Sequence, residues 1–448
     1  MSKHTVVPSS QIIASSGEQT THQLIEFITQ QNPSVSGFIK ILARRDYIYA
    51  ITYPDHEIYC TQLKHWINNT SSSLMFDPLE KNGNGLEIGL KRAYFVAASY
   101  DACFILVDRI VDGIVMPDLR EGYATHELPN GECYEIPKRS SVVCLQIGRN
   151  TDVSTYCSEL VNLSSNENPK FWLSGIENAL RKDEFITYMA CAANTLVLVT
   201  NHGRLIVGGS NGFGECGYGE KRSFSATSPH PFCEENPHVK FCKVACGDHN
   251  IVALTQCGRI YVCGYNSTCE LGISDTGDQK EIKESVGFAK ITHSDPAIDV
   301  ACHYYGVIFL TKSGSVFVSG GSNKSLTQIT LPYQYNGTLF NVVKSIGAGS
   351  QSFMISLTDS NHSDYLLLTV SRQSNYASPI EMHKEFFRSI SPNTQRIDVT
   401  GSDHMSYISY VQQRAVIAGT TLQKQLTKHL TDCYEEKSLS DIDMIFFV

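Results

Sequence analysis

The chain has 448 residues, 42% of them hydrophobic and 18% charged, which is enough apolar matter for a large core and excludes a disordered polypeptide. Its 45 acidic residues against 36 basic ones give a net charge of −9, the wrong sign for a surface built to hold nucleic acid phosphates. No apolar run reaches the roughly 18 residues of a membrane-spanning helix.

Residues 1–36 read as an N-terminal segment, partly disordered or helical, with a short helix over 19–30. Residues 1–20 are polar and lack the apolar stretch of a signal peptide, so the expected location is cytoplasmic, nuclear or both. Isolated basic pairs at Arg44-Arg45, Lys91-Arg92 and Lys138-Arg139 read as solvated surface. From residue 37 to 420 the chain shows short β-branched and aromatic runs punctuated by glycine. Weak strand starts fall at Ala43 to Ile51 and at Ala97 to Leu106. A poorer one falls at Gln146 to Val153, with Phe171-Trp172-Leu173 as its return strand.

Three segments in the middle of the chain superimpose without a gap. Each has a cysteine nine positions before a threonine: Cys191 and Thr200, Cys246 and Thr255, Cys302 and Thr311. A glycine follows each threonine three positions later (Gly203, Gly258, Gly314). A second follows six positions after that (Gly209, Gly264, Gly320). Two copies continue as Asn211-x-x-x-Glu215-x-Gly217 and Asn266-x-x-x-Glu270-x-Gly272. The repeat is 55 residues from the first cysteine to the second and 56 from the second to the third. Four apolar residues ending in Thr predict a buried strand. The first Gly predicts a tight turn, and the run between the glycines a return strand. Such a hairpin cannot bury its own apolar face, so copies must stack on one another.

Further copies follow at Gly347 to Ile355 and at Val399 to Ile408, which brings the strand starts to eight. The expected fold is an all-β, seven-bladed β-propeller whose chain ends share a blade, with eight full blades as the alternative. Short helical segments are expected only near the ends, the second over 421–430 of a C-terminal segment 421–448.

The string Val244-Ala245-Cys246-Gly247-Asp248, with Ala253-Leu254-Thr255, Gly258 to Gly264 and Glu270-Leu271-Gly272, resembles the repeat of the regulator-of-chromosome-condensation family over residues 187–322. That resemblance implies a seven-bladed propeller. It also implies a protein partner on the loops that follow the Ala-Cys-Gly-like strand, with a small GTPase as the partner of a guanine nucleotide exchange factor. Carried over by position, the candidate partner-binding residues are Asp248 and His249. Asp403 and His404 follow Gly401 in the Gly-x-Asp-His pattern of such loops. Asp46 and Asp101, in the first two copies, are read onto the same face of the ring. The primary expectation is an interaction scaffold, and nucleotide exchange is the alternative.

The 15 cysteines are odd in number, include no Cys-x-x-Cys pair and lie in apolar strands, so they read as small buried hydrophobes. No catalytic residue, metal site or cofactor is expected. The chain is expected to be a monomer.

Overall fold

In the computed structural model, the described residues are 13–14, 34, 37–44, 47–62, 77–78, 92–99, 102–111, 114–115, 122–147, 153–157, 175–193, 195–221, 224–267, 269–273, 284–291, 293–304, 306–320, 323–349, 352–362, 365–371, 377–381, 395–401 and 407–413. They form an all-β propeller. Six antiparallel blades are described, and their inner strands are Gly37–Arg44, Ala93–Ala98, Ile186–Cys191, Phe241–Cys246, Ala297–His303 and Thr338–Ala348. Each inner strand lies against that of the next blade, and together they surround a channel.

The repeat read from the sequence is the blade. Cys191, Cys246 and Cys302 stand near the ends of three successive inner strands. The four apolar residues before each Thr lie in the second strands Thr195–Thr200, Asn250–Thr255 and Gly306–Thr311, which are buried throughout. Burial on both faces is why these strands read as apolar runs rather than alternating ones.

The threonine has its own task. Thr200, Thr255 and Thr311 each accept two backbone hydrogen bonds around the turn. The glycine N–H donates to the Thr carbonyl at 2.9–3.0 Å, and the N–H of Arg204, Arg259 or Ser315 donates to the Thr hydroxyl at 2.9–3.2 Å. The turn closes only because Gly203, Gly258 and Gly314 take φ of 72°, 80° and 87°. In the loops beyond the third strands, Asn211 Oδ1 accepts from Cys216 N–H at 2.8 Å and Asn266 Oδ1 from Leu271 N–H at 2.9 Å. Asn at that spacing therefore replaces a backbone turn.

One predicted strand start is corrected. Gln146 and Ile147 close the third strand of the second blade, Ser140–Ile147, where Gln146 sits opposite Ala102. An insertion between Asp108 and Ser140 carries two small hairpins, Ile110–Val111 with Ile114–Val115 and Tyr123–Glu127 with Cys133–Pro137. It delays the third strand until its spacing imitates a new repeat. That leaves seven of the eight strand starts. Phe171, Trp172 and Leu173 lie outside the described residues, as do the expected helices over 19–30 and 421–430. Two short helices, Ile176–Ala179 and Pro231–Glu235, instead lead into the third and fourth blades.

A hairpin of Gln395–Gly401 and Tyr407–Gln413 joins the sheet of the first blade. Gln412 pairs in parallel with Phe38, and Ser409 and Ile408 pair with Ile13 and Ala14. Its first strand lies against the inner strands of the sixth and first blades. Among the described residues no helix is long and apolar enough to cross a membrane.

Candidate functional site at the mouths of the channel

The channel encloses about 160 Å³ and is lined by the inner strands. Each inner strand of the first five blades carries a register break, and the residue after the break is Lys40, Phe95, Tyr188, Lys243 or Asp299. All five stand three positions before the residue that ends the repeat's Ala-Cys pattern (Ala43, Ala98, Cys191, Cys246, Cys302). A bulge re-aims the side chain that follows it. Here four of the five, all but Asp299, line the channel, and Asp299 pairs with one of them.

These residues form a clamp at one mouth. Lys243 Nζ lies 2.7 Å from Glu132 Oε2 and 2.8 Å from Asp299 Oδ1, and Lys40 Nζ reaches Glu132 Oε1 at 3.5 Å. Glu132 comes from the tip of the inserted hairpin 123–137, which thus closes this mouth. Lys40 also donates to Tyr134 Oη at 3.1 Å, and the Lys243 ammonium sits 5.8 Å from the Tyr188 ring. Burial works against the Lys243 charge, but the Asp299 and Glu132 carboxylates outweigh it and hold its pKa above the ordinary lysine value.

The other mouth lies where the inner strands end. Asp248, in the loop after Cys246, accepts from Arg44 Nη2 at 2.7 Å, and Arg44 ends the inner strand of the first blade. His249 turns outward into a row of partly exposed rings. Its ring centroid is 4.4 Å from that of Phe213 and 5.7 Å from that of Tyr304, and Phe213 meets Tyr265 at 5.3 Å. Phe213 is held in place by a loop in which its N–H donates to the buried Glu215 carboxylate at 2.7 Å. Between the mouths, burial pushes the Cys191 and Cys302 thiols up to about 12, which keeps them protonated and unreactive. Among the described residues no group of three or more His, Cys, Asp and Glu side chains is arranged to hold a metal.

The structure therefore brings Asp248 and His249 to one mouth. Asp46, Asp101, Asp403 and His404 lie outside the described residues. In two of the basic pairs the described residue is not solvated surface: Arg44 holds Asp248, and Arg92 Nε holds the fully buried Asp108 at 2.9 Å. The clamp was missed although a signal existed. Lys243 and Asp299 are single charges in apolar strands, at the same register position of successive repeats.

No family model matches the chain. A stretch of 178 residues is 24% identical to the human X-linked retinitis pigmentosa GTPase regulator, covering 38% of this chain and 16% of that protein. Another of 89 residues is 32% identical to human protein RCC2, covering 20% of this chain and 16% of that one. The curated relatives are thus matched over less than a fifth of their own length. Among solved structures, human WBSCR16 superimposes with a TM-score of 0.50 at 13% identity, over 83% of this chain and 87% of that one, a likeness of fold. Fold and repeat define a β-propeller of glycine-punctuated blades. Its homologues are proteins of the regulator-of-chromosome-condensation family.

Proposed function

We propose that this propeller is a protein-interaction scaffold that receives its partner on the Asp248 mouth. The observation that carries this reading is the difference between the two mouths. One is bridged by Glu132 of the chain's own hairpin, paired to Lys40 and Lys243. The other presents Phe213, His249, Tyr265 and Tyr304 as contiguous, partly exposed rings beside a charged pair. Aromatic side chains with one wet edge give large contact area at low entropic cost and dominate interface energetics. The ring on which they stand is read as seven-bladed, with the hairpin 395–413 as the partial seventh blade, closed by its parallel pairing to the first.

Affinity capture with the full-length protein, compared with His249→Ala and Tyr304→Ala, tests the reading. Loss of the same captured protein in both variants, with unchanged thermal stability, supports it. Retention of every captured protein by both overturns it.

A guanine nucleotide exchange factor acting on a small GTPase is the second reading. It is favoured by Asp248, which occupies the acidic loop position that the family resemblance assigns to the partner. Release of a fluorescent guanine nucleotide from a panel of small GTPases decides it. Acceleration that Asp248→Ala abolishes supports exchange, and a flat response across the panel leaves the scaffold alone.

A further inference from the structure

The hairpin 123–137 is held at two places, its tip through Glu132 in the clamp and its foot against the second blade. At the foot, Tyr123 Oη donates to Asp108 Oδ1 at 3.0 Å and accepts from Arg92 Nη2 at 3.1 Å. Asp108 also accepts from Tyr94 Oη at 3.2 Å and carries the ion pair to Arg92. On the second strand of the hairpin, opposite Thr125, stands Glu135. It is buried, and its Oε2 has no hydrogen-bond partner.

The charged groups that act on Glu135 are Arg92 and Asp108. The Arg92 guanidinium is already taken by Asp108, which also holds both tyrosine hydroxyls. An ionised Glu135 would leave the buried Oε2 without a donor, so the neutral acid is the form that fits. In keeping with this, burial pushes the Glu135 carboxyl up to about 7, with Arg92 opposing and Asp108 adding to the shift.

We propose that the hairpin is a proton-sensitive plug, which holds its mouth of the channel closed while Glu135 is neutral and loosens as Glu135 ionises. Loosening draws Glu132 out of the clamp and leaves Lys40, Lys243 and Asp299 at an open mouth. The direction follows from linkage. A carboxyl that binds its proton more tightly in the closed state favours closure most below its ordinary value of 4.5. That preference is lost as the pH rises to about 7 and is constant above it.

Amide hydrogen exchange across 123–137 in the full-length protein tests this, with the wild type and Glu135→Gln compared at pH 5.5 and pH 8. Taking the ratio of the two proteins at each pH removes the intrinsic pH dependence of exchange. Protection in the variant relative to the wild type should rise about twentyfold between the two pH values. An equal ratio at both overturns the proposal. Should the variant fail to fold, the wild type alone gives the same reading, with the turn 200–205 as internal reference. Constant relative protection there overturns the proposal as well. Glu132→Gln loosens the plug at its other end and should lower protection by one factor at both pH values. A loss confined to high pH in that variant would place the titration in the clamp and also count against the proposal.

Discussion

Arg44 and Asp248 meet at 2.7 Å although 204 positions separate them, and this ion pair ties the first blade to the fourth across the channel. Their side chains are 13% and 10% exposed, so little water would replace a lost partner. Arg44→Ala and Asp248→Ala should each destabilise the protein by about 2–3 kcal/mol. The double variant should fall short of the sum by about 1–3 kcal/mol. Urea denaturation of the four proteins measures the coupling, and additive losses would show that the pair contributes nothing as a pair.

The first and second glycines of the repeat should respond differently to substitution. At Gly264, with φ of 109°, an added Cβ would run into the His249 carbonyl and the Asn250 backbone. Gly314, with φ of 87°, has nothing within 4 Å of that position. Gly264→Ala should cost roughly 2–4 kcal/mol and Gly314→Ala about 1 kcal/mol, since only the second meets open space. Thermal melts of the two variants side by side give the comparison, and equal losses would contradict it.

His230 caps the helix Pro231–Glu235. Phe232 N–H donates to its Nδ1 at 3.1 Å, which leaves Nε2 to donate to the Cys216 carbonyl at 2.8 Å. The ring is thus held neutral, and burial lowers its pKa from 6.5 to about 4. A pKa depressed in the folded state means that stability is full above 6.5 and is lost as the pH falls towards 4, by up to about 3 kcal/mol. His56, lowered by burial to about 4, acts in the same direction. His230→Gln should flatten the acid limb of a stability profile measured between pH 7 and pH 4, and a limb of unchanged slope would exclude His230 from it.

Cys257 stands exposed in the turn after Thr255, with its Sγ 3.3 Å from the Thr255 hydroxyl. Slight burial opposes ionisation there, but the hydrogen bonds from Thr255 and Arg259 win and lower its pKa. Alkylation of the native protein at pH 8, followed by peptide mass spectrometry, should modify Cys257 at least ten times faster than Cys191 or Cys302. Prompt modification of Cys191 or Cys302 would mean that the channel is open to the reagent.

The strand, turn and return strand of each central blade were legible in the sequence. Their causes lie within a dozen residues of chain: a run of apolar side chains, a threonine that caps the turn, and a glycine that accepts positive φ. The second blade was misread at its third strand. An insertion changes spacing without changing local pattern, and nothing local distinguishes Gln146 at the end of an old blade from the start of a new one.

Of the candidate residues, the location of two was legible before the structure. Asp248 and His249 follow Gly247 at the end of an inner strand, where the family resemblance puts a loop on one face of the ring, and the structure places both at a mouth of the channel. That Arg44 would meet Asp248, and that Lys40, Lys243, Glu132 and Asp299 would share one clamp, depends on which blades face each other across a closed circle. An ion pair leaves no mark on the local pattern of either partner. The sequence determined the blade because short-range hydrogen bonds and apolar spacing suffice to build one. Only the closed ring decided the pairings, since they arise from distances across the channel that no stretch of a single repeat contains.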